Sequence, residues 1–213
     1  MTEELEEINL QEEEENSQKT DYKKRRREQK ENKVSLKQEL LQTGIYLLIV
    51  LCLTFLIVNY VGQRTRVKGE SMLPTLQHGD NLIVDKLTYR FSDPKRFDII
   101  VFPHYDLDGT KSHYIKRIIG LPGETVRMDT DGTIYINGEV LAEDYGEKVV
   151  SNPGRAYTEI TLGDDEYFVL GDNRDNSSDS RDPSVGNVHR ADIVGKAWLR
   201  IWPLSGFGLL KHQ

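Results

Sequence analysis

Thr125-Val126-Arg127-Met128, Asp131-Gly132, Thr133-Ile134-Tyr135-Ile136 and Asn137-Gly138 follow one another as two short runs, each closed by a turn signal. Apolar and polar residues alternate within each run, the period of a strand with one buried face. Asp-Gly and Asn-Gly are dipeptides that two-residue hairpins favour because they accept positive φ. Working outward, similar runs recur at Asn81-Leu82-Ile83-Val84-Asp85, Asp98-Ile99-Ile100-Val101-Phe102, residues 112–119, Tyr167-Phe168-Val169-Leu170 and Ala197-Trp198-Leu199-Arg200-Ile201-Trp202. Pro122-Gly123 and Pro153-Gly154 add further turn signals. No βαβ alternation, phosphate-binding glycine loop or repeat period interrupts them. The pattern predicts a mainly β domain and does not support a nucleotide-binding one.

Upstream of this pattern the chain changes character. Residues 40–63 contain no charge, and their centre, Ile45-Tyr46-Leu47-Leu48-Ile49-Val50-Leu51, continues apolar to Val58. About 20 such residues at ~1.5 Å each cross a hydrocarbon layer of ~30 Å, and no polar face marks a soluble core helix. The expectation is a retained transmembrane helix over residues 41–62, since the run begins after a long charged tail and lacks the short core and small-residue cleavage site of a removable leader. Lys24, Arg25, Arg26, Arg27, Lys30, Lys33 and Lys37 precede the span, against Arg64, Arg66 and Lys68 after it, which places the N-terminus in the cytoplasm and residues 63–213 outside the membrane. Residues 1–40 divide into an acidic part and a basic cluster at residues 23–27. With so few apolar residues they are expected to be disordered or intermittently helical, the basic part facing anionic lipid headgroups. A net charge of -7 and the adjoining span argue against a nucleic-acid partner. The single cysteine, Cys52, lies in the span, so no disulfide forms within one chain.

Between anchor and strands stands Gly69-Glu70-Ser71-Met72-Leu73-Pro74-Thr75-Leu76. By itself Ser71 reads as a turn or cap serine. None of the five histidines lies in a familiar serine-hydrolase signature, and Gly-x-Ser-x-Gly is absent around Ser71, which leaves a lysine as the remaining candidate base. Lys116, in Tyr114-Ile115-Lys116-Arg117-Ile118-Ile119, would share a strand face with Tyr114 and Ile118. Burial there would lower its pKa from about 10.4 toward a neutral amine. On strand pattern alone the better reading is a lysine whose stem lies over apolar neighbours and whose charge reaches water. The third block, Gly171-Asp172-Asn173-Arg174-Asp175-Asn176-Ser177-Ser178-Asp179-Ser180-Arg181, has the composition of a surface loop. It fails as a calcium loop, with Ser180 where glycine and Gly186 where glutamate would be needed.

Taken in order behind one anchor, these three blocks resemble the type I signal peptidases, particularly the single-span forms of Gram-positive bacteria, from the anchor to Trp202. The resemblance implies a signal-peptidase-like β-fold and a Ser/Lys serine endopeptidase in which Ser71 is the nucleophile and Lys116 the general base. It implies cleavage through an acyl-enzyme, with no metal or other cofactor. Ser177 corresponds to the serine that hydrogen-bonds and orients the lysine, and Asp179, Asp172 and Arg174 to the bracing polar network. The Ser71 backbone N–H is the first oxyanion donor. Some relatives place a second donor, a serine side chain, where this chain has Gly69, so no side-chain donor is assigned there.

Partners follow from the same resemblance: secretory preproteins with small residues at -1 and -3, membrane lipid near Trp198 and Trp202, and proximity to the protein export machinery at the cell membrane. Pocket positions map to Val67, Met72, Leu76, Tyr114 and Ile115, all apolar, and for Leu76 core packing is an equal reading. Two other classes are weighed. A non-enzymatic anchored β-domain is expected to have lost Ser71 or Lys116, and both are present. A self-cleaving repressor with the same chemistry would carry an N-terminal DNA-binding unit where this chain has a charged tail and a span.

Overall fold

The computed structural model describes residues 2–56, 62–105, 109–146 and 152–210. It divides into an N-terminal unit, Met1–Phe55, and a second unit, Leu56–Gln213.

The first unit is one helix, α1 (Thr2–Leu56). Its segment Lys37–Leu56, 20 residues, is apolar enough to cross a membrane and none of it is buried against protein. At ~1.5 Å per residue it reaches ~30 Å. The helix ends before the expected limit at residue 62: residues 57–61 lie outside the described residues, and Gly62 already opens a strand. Absence of charge does not distinguish a helix end from an entering strand, and here the ladder with the next strand claims Gly62 and Gln63. The charge-rich stretch before this apolar segment, expected to be disordered or intermittently helical, is part of the same helix. Glu, Lys, Arg and Gln have high intrinsic helix propensity, and an Asp21–Arg25 ion pair sits at the i,i+4 spacing that supports it.

The second unit is built from antiparallel ladders. Its larger sheet has the order β1 (Gly62–Arg66), β2 (Asn81–Asp85), β11 (Gly195–Trp202), β3 (Ile99–Tyr105), β4 (Lys111–Gly120), β9 (Glu166–Leu170) and β10 (Val188–His189), with β12 (Gly208–Leu209) paired to β11. The smaller sheet runs β7 (Glu139–Val140), β6 (Ile134–Ile136), β5 (Thr125–Met128) and β8 (Ile160–Thr161). The mainly β class is therefore as expected. β1 was missed because Gln63-Arg64-Thr65-Arg66 carries no apolar alternation, and β7, β8, β10 and β12 because two residues have no period.

The continuous apolar run of β3 has a physical explanation. Ile99 and Val101 enter one core cluster with Val67, Met72, Leu76, Leu82, Val84 and Ile115, whereas Ile100 and Phe102 enter another with Ile118, Tyr167 and Val169. Both faces of the central strands are covered, so alternation disappears. A third cluster, including Ile119, Val126, Met128, Ile134, Ile136 and Phe168, lies between the sheets. Asn137-Gly138 forms the expected two-residue turn, with both φ values positive at 52° and 82°. Asp131-Gly132 does not. Only Gly132 is left-handed there, its N–H donates to the Asp129 carbonyl, and the Asp131 carboxylate accepts the Thr133 N–H, which makes a longer turn.

The end of β4 is tightly packed against both sheets. A Cβ on Gly120 would lie 2.6 Å from Val126 Cγ2, 2.8 Å from Leu162 Cδ1 and 3.0 Å from Phe168 Cβ. Gly120→Ala is accordingly expected to lower stability by ~1–3 kcal/mol, the cost of forced overpacking, read as a shifted urea midpoint of the full chain in detergent. An unchanged midpoint would show that the core yields there.

Candidate active site

Ser71 lies in a helical turn that follows β1. The Leu73 N–H donates to the Glu70 carbonyl at 3.1 Å and the Leu76 N–H to the Met72 carbonyl at 2.8 Å, while buried Met72 and Leu76 anchor the turn in the core. The chain enters it through Gly69, whose φ of 91° suits glycine. The Gly69 N–H is engaged with His78 Nδ1 at 3.2 Å, so this backbone donor is not free for an oxyanion.

Lys116 comes from the middle of β4, opposite Ile100 of β3. The predicted face holds: Nζ lies 5.0 Å from the Tyr114 ring centre, and Ile118 packs in the same cluster as Tyr114. Lys116 is only 4% exposed, and Nζ–H donates to Ser71 Oγ at 2.8 Å. Burial is the largest influence on the amine and lowers its pKa from 10.5 to about 8. The Asp179 and Asp172 carboxylates pull it back upward and Arg181 pushes it down. When the amine is neutral the bond can reverse, with Ser71 Oγ–H donating to the Nζ lone pair. That is the step that prepares a nucleophile.

The loop after β9 fastens these elements together. Asp172 accepts from Arg117 Nε at 2.8 Å and Nη2 at 2.7 Å, and from Thr75 Oγ1 at 2.5 Å, tying β4 to the turn that carries Ser71. Arg117 also donates to the Phe97 carbonyl, and its guanidinium stacks 3.6 Å from the Tyr145 ring centre. Asp179 accepts from Arg181 and from the Gly171 N–H, while Arg174 holds Glu143 with two bonds of 2.7 Å each and donates to the Gly171 carbonyl. A Cβ on Gly171 would fall 2.2 Å from Ser177 Oγ and 2.4 Å from the Ser71 carbonyl oxygen, so only glycine permits this approach.

Asp172, Arg174 and Asp179 thus lie on one loop, in ion pairs with Arg117, Glu143 and Arg181 respectively. Ser177 differs from expectation. Its Oγ is buried beside Gly171 and makes no hydrogen bond among the described residues; Lys116 Nζ is turned to Ser71 instead. A cleft of about 760 Å³ opens over the pair, with Val67, Gly69, Ser71, Met72, Tyr114, Ile115 and Lys116 on its wall. Leu76 is absent from that wall and wholly buried, the core alternative for this residue. Among the described residues no cluster of His, Cys, Asp or Glu could hold a metal ion.

Sequence reasoning missed Thr75, Arg117, Glu143, Asn173 and Arg181. Arg117 did carry a signal: a guanidinium inside an apolar strand cannot lose its charge and must find a carboxylate.

Comparison with known proteins places the chain in a family. The model of the family described as "Signal peptidase, peptidase S26" matches residues 38–202, and the chain belongs to that family. It is 40% identical over 173 residues to a probable signal peptidase I-2 of Synechocystis sp., covering 80% of this chain and 77% of that one. It is 37% identical over 180 residues to a signal peptidase I of Bacillus amyloliquefaciens, covering 81% and 94% respectively. A crystal structure of a signal peptidase I from Enterococcus faecalis V583 is 38% identical, covers 49% of this chain and 97% of its own, and has a TM-score of 0.40.

Breaking the buried Arg117–Asp172 pair would strand a carboxylate with almost no exposure. Arg117→Met is expected to cost ~3–5 kcal/mol, measured by urea unfolding in detergent. A loss below ~1 kcal/mol would mean that Thr75 and neighbouring dipoles suffice to hold Asp172.

Proposed function

We propose that this chain is a membrane-anchored serine endopeptidase that removes N-terminal signal peptides from exported preproteins, with Ser71 as nucleophile and Lys116 as general base. The observation that carries this reading is the 2.8 Å contact between Ser71 Oγ and a buried amine, on the wall of an open cleft, in a chain of the signal peptidase family.

The steps balance without further groups. Neutral Lys116 takes the Ser71 hydroxyl proton as Oγ attacks the scissile carbonyl, and the tetrahedral oxyanion forms against the Ser71 N–H. Collapse breaks the C–N bond, the Lys116 ammonium gives its proton to the departing amine of the mature protein, and an ester remains on Ser71. Lys116, neutral again, takes a proton from water, which attacks the ester. Ser71 leaves as alkoxide, recovers the proton from Lys116, and the signal peptide departs as a carboxylic acid. Asp172, Arg174 and Asp179 brace the site through their ion pairs; Ser177, beside Gly171, stands within the same loop as a candidate to orient the amine when substrate is bound.

Val67, Met72, Tyr114 and Ile115 on the wall support a preference for small residues at -1 and -3, because large apolar side chains leave shallow recesses. The apolar end of α1 serves as a single-pass anchor with the charge-rich N-terminus in the cytoplasm and the β unit outside, near the export machinery. Exposed Trp198, Trp202, Leu204, Phe207 and Leu209 suit contact with lipid.

Purified full-length protein in detergent and lipid should cleave a precursor with an Ala-x-Ala signal after the second alanine. Ser71→Ala and Lys116→Ala, both folded, should lose ~10⁴- to 10⁶-fold in kcat. Cleavage that survives Ser71→Ala would sink the mechanism.

The pH dependence has a definite sign. The base works unprotonated, so kcat/KM should rise about tenfold per unit up to the Lys116 pKa of about 8 and level off above it. Between about 8 and 10.5 the folded chain has released a proton that the unfolded chain still holds, so this group adds stability as pH rises through that window. A limb centred near 6.5 would point to a histidine base.

A further inference from the structure

Asn173 sits one residue beyond the Asp172 carboxylate and grips the nucleophile segment twice. Its backbone N–H donates to the Ser71 carbonyl at 3.0 Å, and its side-chain Nδ2–H donates to the Glu70 carbonyl at 3.2 Å. The Glu70 carbonyl belongs to the peptide group whose nitrogen is Ser71 N, and that peptide is trans. In a trans peptide the C=O and N–H point in opposite directions, so holding the oxygen fixes where the N–H aims. The Leu73 N–H holds the same oxygen at 3.1 Å. Among the described residues the Ser71 N–H has no acceptor of its own, and Ser71 lies on the cleft wall. Two donors on one carbonyl also polarise the peptide and make its N–H a stronger donor. The Asn173 carbonyl in turn accepts the Asn176 N–H at 3.1 Å, which keeps the loop in place.

We propose that Asn173 is a positioning residue for the oxyanion site, aiming and polarising the Ser71 N–H through its amide bond to the Glu70 carbonyl. The inference rests on Ser71 as nucleophile and adds what the local sequence leaves open: with the Gly69 N–H bound to His78, the quality of the oxyanion site depends on how well the Ser71 peptide is held. Asn173 touches neither substrate nor reacting atoms. Its effect is confined to the charge that appears in the tetrahedral state, so it acts on kcat and spares ground-state binding.

The test compares wild type, Asn173→Ala, Asn173→Asp and Ser71→Ala as full-length proteins in detergent and lipid. Asn173→Ala removes the amide. Asn173→Asp keeps its shape but presents an acceptor to a carbonyl, so a folding failure of one variant leaves the other informative. Both are expected to lose about 10- to 100-fold in kcat, less than the roughly 10²- to 10³-fold of a deleted oxyanion donor, with KM within about twofold. In Asn173→Ala the acidic limb of the pH profile should stay where the wild type has it, because Lys116 is untouched. Inhibition by a peptide aldehyde, whose adduct on Ser71 is tetrahedral, should weaken in proportion to kcat/KM, while binding of the cleaved peptide product stays constant. Unchanged kcat in both variants, or a loss that appears only in KM or unfolding midpoint with aldehyde affinity intact, would overturn the role of Asn173. Wild-type cleavage that persists in Ser71→Ala would instead refute the nucleophile reading, and the two failures are told apart by that control.

Discussion

Two adjacent cations of one strand are buried, and the structure treats them in opposite ways. Arg117 is wholly inaccessible and cannot shed its charge, so it must be met by a carboxylate, and Asp172 meets it with two bonds. Among the described residues Lys116 has no carboxylate within bonding distance, and it responds to the same burial by weakening its hold on the proton. The alternation of a strand sends the two side chains to opposite faces, which lets one residue serve as a clamp while its neighbour stays a buried amine against Ser71. Because Asp172 also accepts from Thr75, the clamp reaches the turn that presents Ser71, and the contact between Ser71 and Lys116 follows from it.

The strand order gives this clamp its leverage. β4 lies between β3 and β9 with both faces covered, and the loop carrying Asp172 leaves directly from the end of β9. The loop therefore starts from the element already paired with Arg117, whose register partner is Leu170. Gly171 then permits close approach to the Ser71 carbonyl and to Ser177. Tyr145 covers the outer side of Arg117 and Glu143 holds Arg174, so the segment after β7 covers the polar network and keeps water from it.

Much of this was legible in sequence, for identifiable reasons. Strands with strong apolar content, the Asn137-Gly138 turn and the apolar stretch of α1 are local signals, carried by neighbours in the chain. Ser71 and Lys116 stood out because their flanking blocks resemble a family, although strand pattern alone favoured a solvated Lys116, and its burial comes from the elements packed over β4. What escaped was long-range or patternless. β1 forms because β2 offers a ladder, not because Gln63-Arg64-Thr65-Arg66 favours a strand. The partners of the three loop charges come from 31 to 55 residues away for Glu143 and Arg117, and only two away for Arg181, where a surface-like composition hid a buried pair. Leu76 was divided between pocket and core, and it lies wholly buried in the cluster of Met72, Leu82 and Ile99, which local sequence does not show.

The ion pairs also bear on the Lys116 amine. Two carboxylates near a lysine would ordinarily hold it as an ammonium, and both Asp179 and Asp172 do pull the Lys116 pKa upward. Each is already matched by a guanidinium, Arg181 for Asp179 and Arg117 for Asp172, and burial outweighs the pull of the two carboxylates on the amine. Arg181 further lowers the Lys116 pKa directly. A network that looks like bracing therefore has an electrostatic role as well: it lets the loop carry the acids that fasten the fold while denying them the lysine proton. Desolvation of the amine is effective only where neighbouring charge is balanced, and balance requires arginine, the one cation that cannot escape by losing its proton. That requirement explains why the three acids of the site network, Glu143, Asp172 and Asp179, are all paired with arginines and none with a lysine.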